Sequence, residues 1–255
     1  MPLIITLKTA SLAAIGASIL LAQAGGNRPA FEVATVKLSL PDSSDLYQAA
    51  YRKVRAMRGL IVEGNRVTVT DNTLRNLVRI AYQMKDYQVS APSWMAAQHF
   101  DVVGSLPEGS DRARAPEMLR TLLEERFHLA CHEESKEMSV LAMVVAKGGF
   151  KPAKVEANGN SWFMIRAGTT PVLMKAATME AFADRLTRYV DRPVVDMTGM
   201  EGTYDFDLTF ATGDSDAAPP LVTVLQEQMG LRLEPRKTMV KTVVVDRADK
   251  LPAEN

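Results

Sequence analysis

Two stretches about 105 residues apart carry the same amphipathic pattern, and this recurrence limits the fold more than any other feature. In TLRNLVRIAYQ, Leu74, Leu77, Val78 and Ala81 fall at i, i+3, i+4 and i+7. In TMEAFADRLTRY, Met179, Phe182, Ala183 and Leu186 repeat the pattern. Each stretch begins at a threonine, Thr73 or Thr178, whose hydroxyl can accept a hydrogen bond from a free amide of the first helical turn. Both predict helices with one apolar face.

Other segments keep the same spacing. QHFDVVGSLP and GTYDFDLTFA each read as a strand with an aromatic–Asp–apolar centre. APEMLRTLLEERFHL and PPLVTVLQEQMGLRL each read as a helix opened by a proline, Pro116 or Pro220, which costs no helical hydrogen bond in the first turn. HLACHEESKEMSVLAMVVAK and RLEPRKTMVKTVVVDRA each suggest two apolar strands around a charged turn, hence a hairpin. A hairpin also opens each half: MRGLIVEGNRVTVT turns at Gly64-Asn65, and SWFMIRAGTTPVLMK turns near Gly168.

The expected class is α+β: two duplicated units, each hairpin–helix–strand–helix–hairpin, with helices packed on mainly antiparallel sheets. A pseudo-twofold axis could relate them. The expected divisions are a leader at 1–24, a first unit at 25–147 with an extra strand FEVATVKL (31–38), a Gly- and Lys-rich linker at 148–160, and a second unit at 161–255. Residues 41–56 read as a loop or a short basic helix whose charges form a solvated face.

The leader reading rests on MPLIITLKTASLAAIGASILLAQAGG, with one charge, Lys8, and an apolar core from Leu12 to Ala22. Ala22-Gln23-Ala24 is a small-residue cleavage pattern, so cleavage after Ala24 and a periplasmic or secreted location are expected. The alternative is an uncleaved N-terminal anchor, for which the core is short. Membrane contact is expected only through this segment before cleavage. Basic and acidic side chains balance at 30 each, which gives no support for a nucleic-acid partner. One cysteine, Cys131, cannot form an internal disulfide and reads as a small buried hydrophobe.

A longer set of motifs resembles the soil-associated protein family. It includes FEVATVK, TLRNLVRIAY, APSWM with FDVVGSLPEG, LLEERFHLACHEESKEMSVLAMVVAKGG, RPVVDMTGMEGTYDFDL and LQEQMGLRLEPRK with VVVDRADKLPAEN. The resemblance runs in order from Phe31 to Asn255. It implies an exported domain of unknown function found in large paralogous sets in soil bacteria, and it supplies no catalytic residues. Some such relatives look fused behind membrane-embedded zinc-metallopeptidase sensors. The chain departs from the usual pattern at Met197, where the family often has Lys. The helix between short strands in each half is also similar to the small signalling modules of secretins and outer-membrane receptors.

Four residues are candidates for a site: Asp101, Asp205, Asp196 and His132. Asp196 lies in RPVVDMTGMEGTYDF, which looks like a phospho-aspartate or aspartic-protease signature. The first needs an acidic Mg²⁺ loop, which is missing from the sequence. The second needs two carboxylates sharing a proton. Laid over the first half, Asp196 falls opposite Ser90. Asp196 therefore reads as an acceptor that fixes a turn. Asp101 and Asp205 are paired by the repeat, and each points away from the buried face of its strand. This favours a structural role, such as pairing an Arg or capping a turn. His128 and His132 could share one strand face, yet about 13 Å of extended chain between them is too wide for one ion. No metal or cofactor is expected. The reading is a non-enzymatic binding or sensing module for an envelope protein or peptide. The alternatives are a secreted hydrolase with an unidentified site and a structural envelope component.

Overall fold

A computed structural model describes residues 28–39, 52–56, 59–156, 162–164, 171–211 and 218–254. The expected leader lies outside them. The first half runs β1 (Val33–Leu38), α1 (52–56), β2 (Leu60–Glu63), β3 (Arg66–Thr73), α2 (Leu74–Ala81), β4 (Val89–Ser90), β5 (His99–Ser105), α3 (Ala115–Phe127) and β6 (Ala130–Val145). The second runs β7 (Lys154–Val155), β8 (Trp162–Met164), β9 (Pro171–Thr178), α4 (Met179–Leu186), β10 (Val194–Asp196), β11 (Thr203–Thr209), α5 (Leu221–Val224) and β12 (Leu231–Arg247). The fold is α+β, and among the described residues it is built on three four-stranded sheets.

Local chemistry explains the element ends. Gly64, with φ 64°, opens the two-residue turn that sets Glu63 opposite Arg66. The turn expected near Gly168 lies outside the described residues. Thr73 accepts from the Asn76 amide at 3.2 Å, and Thr178 from the Ala181 amide at 3.1 Å, so both expected caps form. Pro116 sits in the first turn of α3. Pro220 precedes α5, which passes into a π-turn at Leu225–Met229.

Strand order follows one rule in both halves. The first sheet is β1-β5-β3-β2 and the second is β7-β11-β9-β8, each antiparallel throughout. The strand that seemed extra, β1, therefore has a counterpart in β7, which lies inside the stretch read as linker. β7 has two residues, too few to leave an alternation in the sequence.

The largest departure from expectation lies in the third sheet, β10-β6-β12-β4. The two charged segments expected to turn are instead the middles of single strands, β6 of 16 residues and β12 of 17. They pair antiparallel along their whole length. The reason is partly local. The segment from His132 to Ser139 holds no Gly, Pro, Asn or Asp to make a turn. It is also long-range, because the charges of one strand meet those of the other: Lys237 contacts Glu137 at 3.0 Å, and Lys241 contacts Glu133 at 2.7 Å. Pro235 is accommodated because, among the described residues, β12 has no second neighbour there; β4 reaches only Val243 and Val244.

This ribbon exchanges strands between the halves. β4 pairs parallel with β12, and β10 pairs parallel with β6. The first core holds Leu77, Val78, Phe100, Leu119, Leu123 and Phe127, together with Val243 and Val245 from β12. The second holds Phe182, Leu186, Phe206, Leu208 and Leu225, together with Met143 from β6. Each core is thus closed by a strand from the other half. Between them the side chains from His132 to Glu137 are all exposed.

The register also corrects the alignment of Asp196. Val194 lies opposite Leu141 in one half, and Val89 opposite Val243 in the other. Counting on from these pairs, Ser90 matches Val195, and Asp196 matches Ala91. His128 also leaves its expected strand face. It is the left-handed residue that ends α3 (φ 46°), a place held after the second half's helix by Gly230 (φ 68°). A Cβ on Gly230 would stand 1.8 Å from the Gly149 carbonyl oxygen, so only glycine fits there. The basic segment is helical over 52–56, but its charges are not all solvated. Arg55 donates to the Thr68 hydroxyl at 2.7 Å, and Arg52 reaches Asp101.

Candidate functional site

Asp101 and Asp205 perform one local task at equivalent places. In β3 and in β9 the register slips opposite these aspartates, leaving a bulge. The bulge holds a residue with positive φ, Asp71 at 53° and Ala176 at 48°. Asp101 accepts the Asp71 amide at 2.8 Å, and Asp205 accepts the Ala176 amide at 3.0 Å. A cation completes each: Arg52 at 3.4 Å from Asp101, and Lys175 at 2.8 Å from Asp205. Ser39 also donates to Asp101, at 3.0 Å. Each carboxylate thereby holds the bend that aims its strand at the capping threonine of the next helix.

This geometry has a pH signature. The hydrogen bond from Lys175, then that from the Ala176 amide, hold the Asp205 carboxyl below its usual value of 3.8. A carboxylate with a depressed folded pKa adds stability that is present above its unfolded pKa and lost as pH falls through the folded one. Urea midpoints of the wild type and Asp205→Asn are therefore expected to differ above pH 3.8 and to converge as pH drops below it. Parallel curves at all pH values would remove this contact as a source of stability.

Asp196 fixes a turn. Its Oδ1 accepts from the Thr198 amide at 3.0 Å and from the Thr198 hydroxyl at 2.7 Å. The Thr198 hydroxyl oxygen in turn accepts from the Met200 amide at 3.2 Å. The three histidines are held apart by separate aspartates. His132 contacts Asp246 at 2.8 Å, His128 contacts Asp249 at 2.7 Å, and His99 contacts Asp71 at 3.1 Å. The bond to Asp246 holds the His132 imidazole above its usual value. Cys131 is half-buried beside the first core, and burial pushes its thiol up. Among the described residues, no three His, Cys, Asp or Glu side chains cluster so as to hold a metal. None of the four sequence candidates lines the cleft between the halves.

That cleft has a volume of about 990 Å³. One wall is a face of α2 with the following turn: Asn76, Arg79, Ile80, Met84, Lys85 and Tyr87. The other is α4 and its extension, Asp184, Thr187 and Arg188. Lys85 spans the gap to Glu180 at 3.0 Å. Arg75 pairs with Asp86 on the rim. Burial pushes the Tyr87 hydroxyl up to about 12, with Asp184 and Glu180 adding to the effect. Burial likewise draws Arg79 down, while Asp86 and Asp184 oppose it. Clefts between packed units that combine an apolar strip with a few polar groups are the common form of a binding site.

The sequence carried a signal for this cleft that the apolar stripes concealed. Arg79 and Asp184 hold the same position in α2 and α4, the sixth residue of each helix. Gln83 and Arg188 are matched in the same way. The walls are therefore equivalent surfaces of the two halves with different side chains, facing each other. No curated protein and no solved structure matches the chain. Residues 75–248, from α2 to just past β12 and including both cleft walls, match the family described as Protein of unknown function (DUF3738), and the chain belongs to that family.

Proposed function

We propose that the protein is exported to the cell envelope and works as a binding module that takes a partner in the cleft between its two halves. The observation that carries this reading is the cleft itself, lined from both halves by cations, two aspartates, a tyrosine and an apolar strip. The leader pattern ending at Ala24 supports export. The resemblance to the soil-associated protein family supports it further, since large paralogous sets suit one scaffold whose lining varies from copy to copy. The repeated element order supports an ancestral duplication, after which equivalent walls could diverge.

The test is capture from envelope extract by the purified chain and by Asp184→Trp, which fills the cleft from an exposed helix position. A partner retained by the wild type and lost by Asp184→Trp, with both proteins melting alike, is the expected result. Equal capture by both would end the cleft reading. N-terminal sequencing of the exported chain should begin at Gly25, and an intact Met1 in that fraction would end the leader reading.

A further inference from the structure

Charge pairing in the cleft leaves a specific surplus. Of the cations on its walls, Lys85 is matched by Glu180. Asp86 is matched by Arg75. Arg79 and Arg188 are then left to share Asp184, with Asp86, already paired to Arg75, also acting on Arg79. The Arg79 Nε is held by the Asn76 Oδ1 at 2.5 Å, which fixes the guanidinium while its Nη groups stay uncommitted among the described residues. Among the described residues Arg188 forms no ion pair, and it stands close enough to Arg79 to oppose its charge. Two guanidiniums on facing walls present planar donor pairs, a geometry that carboxylates and phosphates both satisfy.

A free anion would gain little here, because Arg188 is exposed and Arg79 half-exposed, and solvent and salt screen a lone ion pair at such positions. A ligand must also bury apolar area to be held. Leu60, Ile80 and Met84 supply half-buried apolar surface on the same cleft.

Resting on the cleft reading above, we infer that the ligand is an acidic peptide segment, its carboxylate held between Arg79 and Arg188 and a neighbouring aliphatic side chain laid on Leu60, Ile80 and Met84. The probe is a fluorescein-labelled peptide of alternating Glu and Leu, compared with its Gln-for-Glu counterpart by fluorescence polarisation against the full purified chain. The acidic peptide should bind at least about tenfold more tightly than the Gln form, because charge-assisted hydrogen bonds to a guanidinium are lost. The double variant Arg79→Gln with Arg188→Gln should lose about the same factor for the acidic peptide and nothing for the Gln form. Inorganic phosphate at equal ionic strength should not displace the peptide. Equal binding of both peptides, an unaffected double variant, or displacement by phosphate alone would each overturn the inference. Its failure is separable from that of the cleft reading. If the double variant still captures the envelope partner and Asp184→Trp does not, the cleft stands and the acidic ligand falls.

Discussion

Cut within residues 157–161, the chain should yield two fragments that do not fold alone and that assemble when mixed. The first fragment would keep α2, α3 and β5 but lose Val243 and Val245, which close its core. It would also carry Val140, Ala142 and Met143 on β6 with nothing to cover them, although all three are fully buried in the intact chain. The second fragment would lack Met143 and the whole partner of β12. Lone strands with one apolar face and no neighbour aggregate or stay unfolded. Each fragment alone should show no cooperative thermal transition by circular dichroism. An equimolar mixture should recover one and elute at the mass of the intact chain. A cooperative transition in either fragment by itself would show that the exchanged strands are dispensable.

Phe206→Ala should be among the most damaging single substitutions in the second core, and its damage should reach the first. Phe206 is fully buried and stacks on Phe182 with ring centroids 3.9 Å apart and planes 5° from parallel. Removing a large buried aromatic ring costs about 3–5 kcal/mol through lost burial and the cavity left behind. Against a typical total of about 5–15 kcal/mol, that is a large share of the stability of the domain. The two tryptophans report separately, since Trp94 packs against the first core and Trp162 lies in β8 of the second half. Urea unfolding followed in Trp94→Phe and Trp162→Phe backgrounds should show both signals shifting together in Phe206→Ala. A shift of the Trp162 signal with Trp94 unchanged would mean that the cores unfold independently.

The sequence made the locally determined features legible. The helices after Thr73 and Thr178 follow from four apolar positions and one cap each, all within a dozen residues. The pairing of Asp101 with Asp205 was visible because the repeat placed them alike, and their tie to positive-φ bulges gives that repetition a cause. The strand exchange was not legible. A strand of β6's length, half solvated and half in another unit's core, shows no single periodicity, and its charged middle imitates a turn. The absence of Gly, Pro, Asn and Asp between His132 and Ser139 was the available warning. The cleft was hidden for a different reason. Arg79 and Arg188 are ordinary polar positions on their own helices, and they acquire meaning only when the ribbon brings those helices face to face.

The ribbon also couples how the two halves can change over generations. A substitution at Met143 is written in the first half but judged by the packing around Phe182 and Leu186, and one at Val243 is judged around Leu77 and Phe127. Neither half can be exchanged for that of a divergent relative without breaking both cores. Productive recombination within this family should therefore spare the interval between β6 and β12, while the exposed walls of the cleft, which carry no such obligation, remain free to diversify.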